Sequence, residues 1–249
     1  MLDYLKRLMR PAPEAPPRYP ALEGVTAYVV GDIHGCLEPL RRTLGVIDDD
    51  RARRGGGSCV EVFLGDYVDR GPDSAGVIDL LIARSRARDV VFIKGNHDAL
   101  MEEFARGRRE LDDWLPLGGA ETLRSYGATP DMMGGDPAAL RQLVPRRHLD
   151  FLRGCIPMHR AGGYAFVHAG VRPGVPLAAQ APQDLMWIRD DFLKNRGDFG
   201  AIVVHGHTPV AEVEFRRNRI GVDTGAYMTG RLSCLRIDGA GPAILAAGT

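Results

Sequence analysis

Five times in this chain a short apolar run breaks off into a knot of glycine and polar side chains. Ala27-Tyr-Val-Val30 leads into Gly31-Asp-Ile-His-Gly35, Val60-Glu-Val-Phe-Leu64 into Gly65-Asp-Tyr-Val-Asp-Arg-Gly71, and Val90-Val-Phe-Ile93 into Lys94-Gly-Asn-His-Asp98. Further on, Tyr164-Ala-Phe-Val167 precedes His168-Ala-Gly170, and Ala201-Ile-Val-Val204 precedes His205-Gly-His-Thr-Pro209. Runs this short and this rich in β-branched residues read as buried strands, with the polar knots as the loops that follow them. Between the first three runs, Leu37, Leu40, Leu44 and Ile47, and then Val77, Ile78, Leu81 and Ile82, recur at helical spacing. Strand alternating with helix implies parallel strands joined by right-handed crossovers, which puts all three following loops at one sheet edge. Ligands of open α/β sheets bind at that carboxyl edge. Asp32, His34, Asp66, Asp69, Asn96 and His97 are therefore expected to converge.

The rest of the chain is organised around this unit. Residues 99–160 are more charged and read as a helical insertion beside the site, punctuated by Gly118-Gly119, Gly127 and Gly134-Gly135. Arg219 to Asp223, Ser233 to Ile237 and Ala243 to Ala246 read as closing strands. Residues 1–24 form an expected flexible, Pro-rich arm, and residues 25–249 a single catalytic domain without an internal linker. Arg53-Arg-Gly-Gly-Gly57 lacks the lysine and hydroxyl residue of a phosphate-binding P-loop and reads as a surface turn.

Composition narrows the class. Lysine plus arginine and aspartate plus glutamate number 32 each, so there is no basic excess of the kind a dedicated nucleic-acid binder carries. Cys36, Cys59, Cys155 and Cys234 are scattered with no CxxC pair, which argues against a zinc ribbon or disulfide framework and for free thiols in a reducing cytosol. No apolar run has the length of a membrane span, and residues 1–20 lack the uninterrupted core of a signal peptide, so a cytoplasmic location without membrane attachment is expected. The sequence leaves the oligomeric state open.

Each polar residue alone has a structural explanation, since an aspartate after a strand is often a helix cap and a single histidine usually a hydrogen-bonded core group. Several carboxylates at one sheet edge change the weighing, because their mutual repulsion is relieved by a cation. The donors are carboxylate, amide oxygen and imidazole, with no thiolate, a set that suits Mn2+, Fe2+ or Zn2+. They are too many for one tetrahedral ion and about right for a pair, a known arrangement for phosphoryl transfer.

The ordered motifs Gly31-Asp-Ile-His-Gly35, Gly65 to Gly71, Gly95-Asn-His-Asp98, His168-Ala-Gly170 and Gly206-His-Thr-Pro209 resemble those of the PPP-type serine/threonine protein phosphatases, in their bacterial and phage branch, within the calcineurin-like metallophosphoesterases. The likeness runs from about Tyr28 to the C-terminus. It implies an α/β/β/α sandwich, two mixed β-sheets flanked by helices. It implies two divalent metal ions, Mn2+ first among the candidates, held by Asp32, His34, Asp66, Asn96, His168 and His207, with Asp66 bridging. Spacing alone does not choose between His205 and His207; the family motif points to His207. The resemblance further makes His97 the general acid, Asp69 its orienting partner, and Arg70 and Arg189 the grips on phosphate. Two departures stand out: Asp98 replaces the glutamate of eukaryotic relatives, and Pro209 stands where wider metallophosphoesterases place a further histidine.

The implied function is hydrolysis of Ser/Thr, or Tyr, phosphomonoesters on phosphoproteins or peptides by in-line attack of a metal-bridging hydroxide. The alternative is hydrolysis of diadenosine tetraphosphate in the symmetrical manner. A catalytically inactive binding module is disfavoured because every implied ligand is present.

Overall fold

A computed structural model describes residues 19–247 of the chain. All five apolar runs form strands: β1 (Thr26–Val30), β2 (Cys59–Phe63), β3 (Val90–Phe92), β5 (Tyr164–Val167) and β6 (Ile202–His205). The helical patterns become α1 (Leu37–Arg53), which buries Leu40, Leu44 and Ile47, and α2 (Ser74–Ser85), which buries Val77, Ile78 and Leu81. β1, β2 and β3 are parallel neighbours. β9 (Ser233–Asp238) pairs antiparallel with β1, and β10 (Gly241–Ala247) with β9, giving the order β10-β9-β1-β2-β3. A second five-stranded sheet has the order β4-β5-β6-β8-β7, with β4 at Met158–Ala161, β7 at Glu214–Phe215 and β8 at Arg219–Gly221. This is the expected pair of mixed sheets flanked by helices.

Period-two alternation assigns each strand two cores. On β1, Ala27 and Val29 face the second sheet, where they meet Tyr164, Phe166, Val204 and Ile220; Tyr28 and Val30 face the helices with Phe63, Leu40 and Val77. The outer face of the second sheet is covered by Leu185, Ile188 and Phe192, from α9 (Pro182–Trp187), the turn after it and α10 (Asp190–Leu193), over Val167 and Val203. Between β3 and β4 the chain runs through α3 (Asn96–Ala105), α4 (Leu111–Trp114), α5 (Gly119–Ser125), α6 (Pro130–Met133), α7 (Pro137–Leu143) and α8 (Arg146–Gly154). Residues 1–18 of the expected arm lie outside the described residues. Its end is packed: Leu22 is buried, and the Tyr164 hydroxyl donates to the Pro20 carbonyl at 2.7 Å. No described helix is long and apolar enough to cross a membrane.

Candidate metal centre

The loops after β1, β2 and β3 meet those after β5 and β6 at one edge of the sandwich, tied by backbone hydrogen bonds. The His34 amide donates to the Asp66 carbonyl at 2.7 Å and the Gly206 amide to that of His168 at 2.8 Å. The sheets are joined where the His207 amide donates to Asp32 Oδ2 at 3.0 Å. Two glycines permit this closeness. A Cβ on Gly95 would overlap Asp66 Oδ1, and one on Gly206 would overlap Asp32 Oδ1. Among the described residues, the non-glycine positions with positive φ are His34, Asp66, Asp69, Arg70 and His207. Each lies in this cluster, so backbone strain of about 1–3 kcal/mol per residue is concentrated where the polar groups converge.

The side chains form two triads that share Asp66. His34, Asp66 and His97 make one, and Asp66, His168 and His207 the other, with ligand atoms within 4.8 Å of one another. His34 Nδ1 donates to the Val68 carbonyl at 2.9 Å, and His168 Nδ1 to that of Leu64 at 2.9 Å. Burial keeps both rings neutral, holding His34 down to about 3. With Nδ1 carrying the proton, each Nε2 presents a lone pair. His168 Nε2 faces Asn96 Oδ1 at 2.8 Å and Asp66 Oδ1 at 3.4 Å, acceptor against acceptor. His207 Nδ1 lies 3.2 Å from the same nitrogen, and its Nε2 is buried without a partner among the described residues. A lone pair presented by a ring whose far nitrogen is anchored to a carbonyl, as in His34 and His168, is the arrangement of metal-ligating histidines. These donors fit a divalent cation.

The carboxylates carry the same signature. Burial and the charges of Asp223 and Asp66 push Asp32 well above the usual carboxylate range. Burial raises Asp223 to about 6 and Asp98 to about 7, with the Asp66 charge adding to both. For Asp66 burial is outweighed by His168, His97, His34 and His207, and its pKa is lowered. Asp98 acts on the backbone instead. Its carboxylate accepts the amides of Asp66, Tyr67 and Gly95 at 2.8–2.9 Å, pinning the loop that carries Asp66.

The expected residues sort as follows. Asp32 lies beside both triads but in neither, its carboxylate taken by the His207 amide. Asn96 faces His168 and His207. His205 turns away from the cluster, packing on Phe192 with ring centroids 5.0 Å apart, so the geometry selects His207. His97 Nδ1 meets Asp69 Oδ2 at 2.7 Å. Arg70 donates to His34 Nε2 and His97 Nε2 at 2.8 and 2.9 Å and stacks over Tyr227 at 4.8 Å. Arg189 makes no side-chain hydrogen bond among the described residues, yet its charge acts on His168, His207 and Asp223. The sequence reading missed Trp114 and Thr122, which donate to Asp69 at 3.0 and 2.8 Å. It also left Asp223 out of the site; the place of this residue after β8 repeats the strand-then-polar pattern and was the available signal.

The family model for calcineurin-like phosphoesterases matches residues 25–236. The chain belongs to this family. Calcineurin-like phosphoesterases use a binuclear divalent metal centre, and the groups gathered around Asp66 in this metallophosphoesterase could hold it, with His97 the triad member whose ring is fixed on Asp69. A bis(5'-nucleosyl)-tetraphosphatase PrpE [asymmetrical] of Anoxybacillus flavithermus is 27% identical, with 84% of this chain and 89% of that one covered. A serine/threonine-protein phosphatase 1 of Salmonella typhimurium is 29% identical over 84% of this chain and 91% of its own length. A crystal structure assigned provisionally to a diadenosine tetraphosphatase superimposes with TM-score 0.63 at 22% identity, covering 92% of this chain and 99% of that one. These names correct the expected alternative: the dinucleotide-cleaving relative is named asymmetrical, not symmetrical.

Proposed function

We propose that this phosphoesterase hydrolyses phosphomonoesters on proteins, as a member of the PPP-type branch, using two metals held by Asp32, His34, Asp66, Asn96, His168 and His207. The observation that carries the substrate class is the charge around the groove beside the centre. That groove is lined by Trp187, Arg189, Asp184, Asp190 and Asp191. Its second arginine, Arg172, is already tied to Asp184 and Asp191. In the insertion, Arg106 and Arg109 are paired with Glu102 and Glu103. A single phosphate needs no more than the metals, Arg70 and Arg189, whereas a tetraphosphate lying in that groove would meet Asp184, Asp190 and Asp191. Of the trio Arg106, Arg108 and Arg109 in the insertion, Arg108 is the one without a carboxylate partner among the described residues.

The paired metals, Mn2+ being the first candidate, would supply positive charge for the phosphoryl oxygens and water acidified to near neutral pH. The chain's own part centres on His97. Asp69, held by Trp114 and Thr122, fixes the ring through Nδ1 and turns Nε2 toward the site. Burial pulls His97 down, but Asp66 and Asp69 outweigh it and its pKa is raised. Once Arg70 engages a phosphate oxygen, Nε2 is free to hold the proton that the leaving alkoxide takes. Arg70 and Arg189 orient the phosphate.

The second reading, asymmetrical cleavage of a dinucleoside tetraphosphate, is favoured by the name of the PrpE relative. Side-by-side assays of a phosphoserine peptide and diadenosine tetraphosphate, with Mn2+ restored after chelation, separate the two. Higher kcat/KM on the peptide is expected. If the dinucleotide is cleaved more efficiently than every phosphopeptide tried, the protein-phosphatase assignment falls and the metal centre stands.

A further inference from the structure

Away from the metal centre, a cleft of about 600 Å3 opens between the turn after α10 and the β7–β8 hairpin. Its polar lining is Lys194, Arg196, Arg216, Arg217, Asn218 and Arg219, none of them part of the triads around Asp66. A hollow of about 370 Å3 adjoins it and shares Arg196, Arg217 and Asn218. The walls are built. Asn218 is buried and donates to the carbonyls of Asn195 and Gly197 at 3.1 and 2.7 Å, fastening the turn to the hairpin.

The charge in this cleft is unbalanced. Glu214 serves both Arg216 and Arg219, and Asp190 pairs with Lys194. Asp198, beside the adjoining hollow, accepts the Gly200 amide. Arg196 and Arg217 have no carboxylate at ion-pair distance among the described residues. A row of solvated arginines would explain those two but not Arg219. The Arg219 side chain is only 9% exposed, and its Nε is buried without a partner. Held by Glu214 and over the Phe192 ring, this desolvated guanidinium is a fixed positive charge in the cleft wall that an anion in the cleft would stabilise.

We propose that this cleft binds a chain of linked phosphates, an inorganic oligophosphate or the polyphosphate tail of a nucleotide, at a site separate from the metal centre. Guanidinium forks suit bidentate contact with phosphate oxygens. The cleft falls within the roughly 300–1,000 Å3 of small-molecule sites. No aromatic ring lines it, so the phosphates, not a base, make the contacts. This site does not depend on which substrate the metal centre takes.

The test is calorimetry on the Mn2+-loaded full chain with tripolyphosphate, supplied as its magnesium salt so that the bound metals are not stripped. Three proteins are compared: wild type, Arg196→Gln/Arg217→Gln, and Arg70→Gln/Arg189→Gln. The first pair is exposed, so its removal should leave folding and basal p-nitrophenyl phosphate turnover unchanged. It is expected to weaken the tripolyphosphate site about tenfold or more, the result of losing ~1.4 kcal/mol or more. The second pair should leave that site intact. ATP binding as tightly as tripolyphosphate would assign a nucleotide tail, and weaker ATP binding a free oligophosphate. Unchanged affinity in the Arg196→Gln/Arg217→Gln protein overturns the proposal. So does orthophosphate binding as tightly as tripolyphosphate, or a single-stranded oligonucleotide binding more tightly than either through the same arginines.

Discussion

Two buried polar clusters adjoin the first sheet, one on its helix face and one at its loop end, and they solve the problem of burying charge differently. On the helix side, Glu61 is fully buried, and Arg84 reaches it with Nε and Nη2 at 2.9 and 2.7 Å. The same guanidinium grips Asp48 at 2.7 and 2.8 Å, and Arg88 and Arg51 complete the set. Here the chain supplies its own cations. At the loop end of the same sheet, Asp32, Asp66 and Asp223 are buried among imidazoles whose lone pairs face them, and Arg70 is the guanidinium hydrogen-bonded there. Strained backbone holds that second set together. In the first cluster both carboxylates are met by guanidinium groups; the second is arranged for a partner the chain does not contain. That contrast separates a structural ion network from a site.

The contrast breaks most sharply on metal removal. Strong chelation is expected to abolish phosphoesterase activity while leaving far-UV circular dichroism unchanged, because the Glu61–Arg84–Asp48 network and the sandwich cores need no ion. Mn2+ should restore turnover better than Mg2+, since imidazole nitrogens suit Mn2+ more than the harder ion. Full activity after exhaustive chelation would refute the two-metal reading. Asp66→Asn should lower metal content at both positions, as measured by elemental analysis, because both triads depend on that one carboxylate.

A smaller effect is expected at His97. His97→Asn should retain bound metal but slow hydrolysis of alkyl phosphates by about 10²–10⁴-fold, the usual contribution of general acid–base catalysis. An aryl phosphate, whose leaving group needs less help, should lose less. Equal losses on both substrates would mean that His97 serves binding or structure.

How far these two clusters could be read from the sequence follows from their physics. The strand-then-polar pattern announced β1, β2, β3, β5 and β6 and nearly all of the site, because buried strands advertise themselves through apolar runs and the parallel order gathers their loops. β4 and β7 were invisible. Met158–Ala161 carries His159 and Arg160, Glu214–Phe215 is two residues long, and both occupy sheet margins where no apolar run is demanded. Spacing could not choose between His205 and His207, because it expresses neither the packing of His205 on Phe192 nor the positive φ at His207. Trp114 and Thr122 reach Asp69 from the insertion by tertiary packing alone, 45 and 53 residues away. Arg84 was likewise unreadable, since an arginine on α2 gives no sign that its partner is a glutamate inside β2.

Stability measurements probe the comparison next. Glu61→Gln should destabilise the protein by about 3 kcal/mol, toward the low end for removing one member of a buried ion pair, because Arg84 keeps Asp48. The urea midpoint should fall with or without metal. A midpoint unchanged from wild type would show that the network on the helix side is not what holds α1 and α2 to the sheet.

The smallest effect should have the opposite sign. Asp32 is raised well above the usual carboxylate range, first by burial and then by Asp223 and Asp66, so at neutral pH its ionised form is penalised in the metal-free fold. A carboxyl with a raised folded-state pKa contributes stability that is fully present below its unfolded value of about 3.9 and is lost as pH rises through the folded value. Above that folded value the wild type carries the penalty, and Asp32→Asn removes it while keeping an acceptor for the His207 amide. Metal-free Asp32→Asn is therefore expected to melt slightly above metal-free wild type at neutral pH. The advantage should shrink as pH falls toward the unfolded value, because the wild-type carboxyl then takes up its own proton. In saturating Mn2+ the order should reverse, since the wild type gains binding free energy that the variant cannot match. If Asp32→Asn instead melts below wild type in the chelated protein, the crowded carboxylates are already neutralised by the chain's own groups. The loop-end cluster would then be a satisfied network of the same kind as that around Glu61.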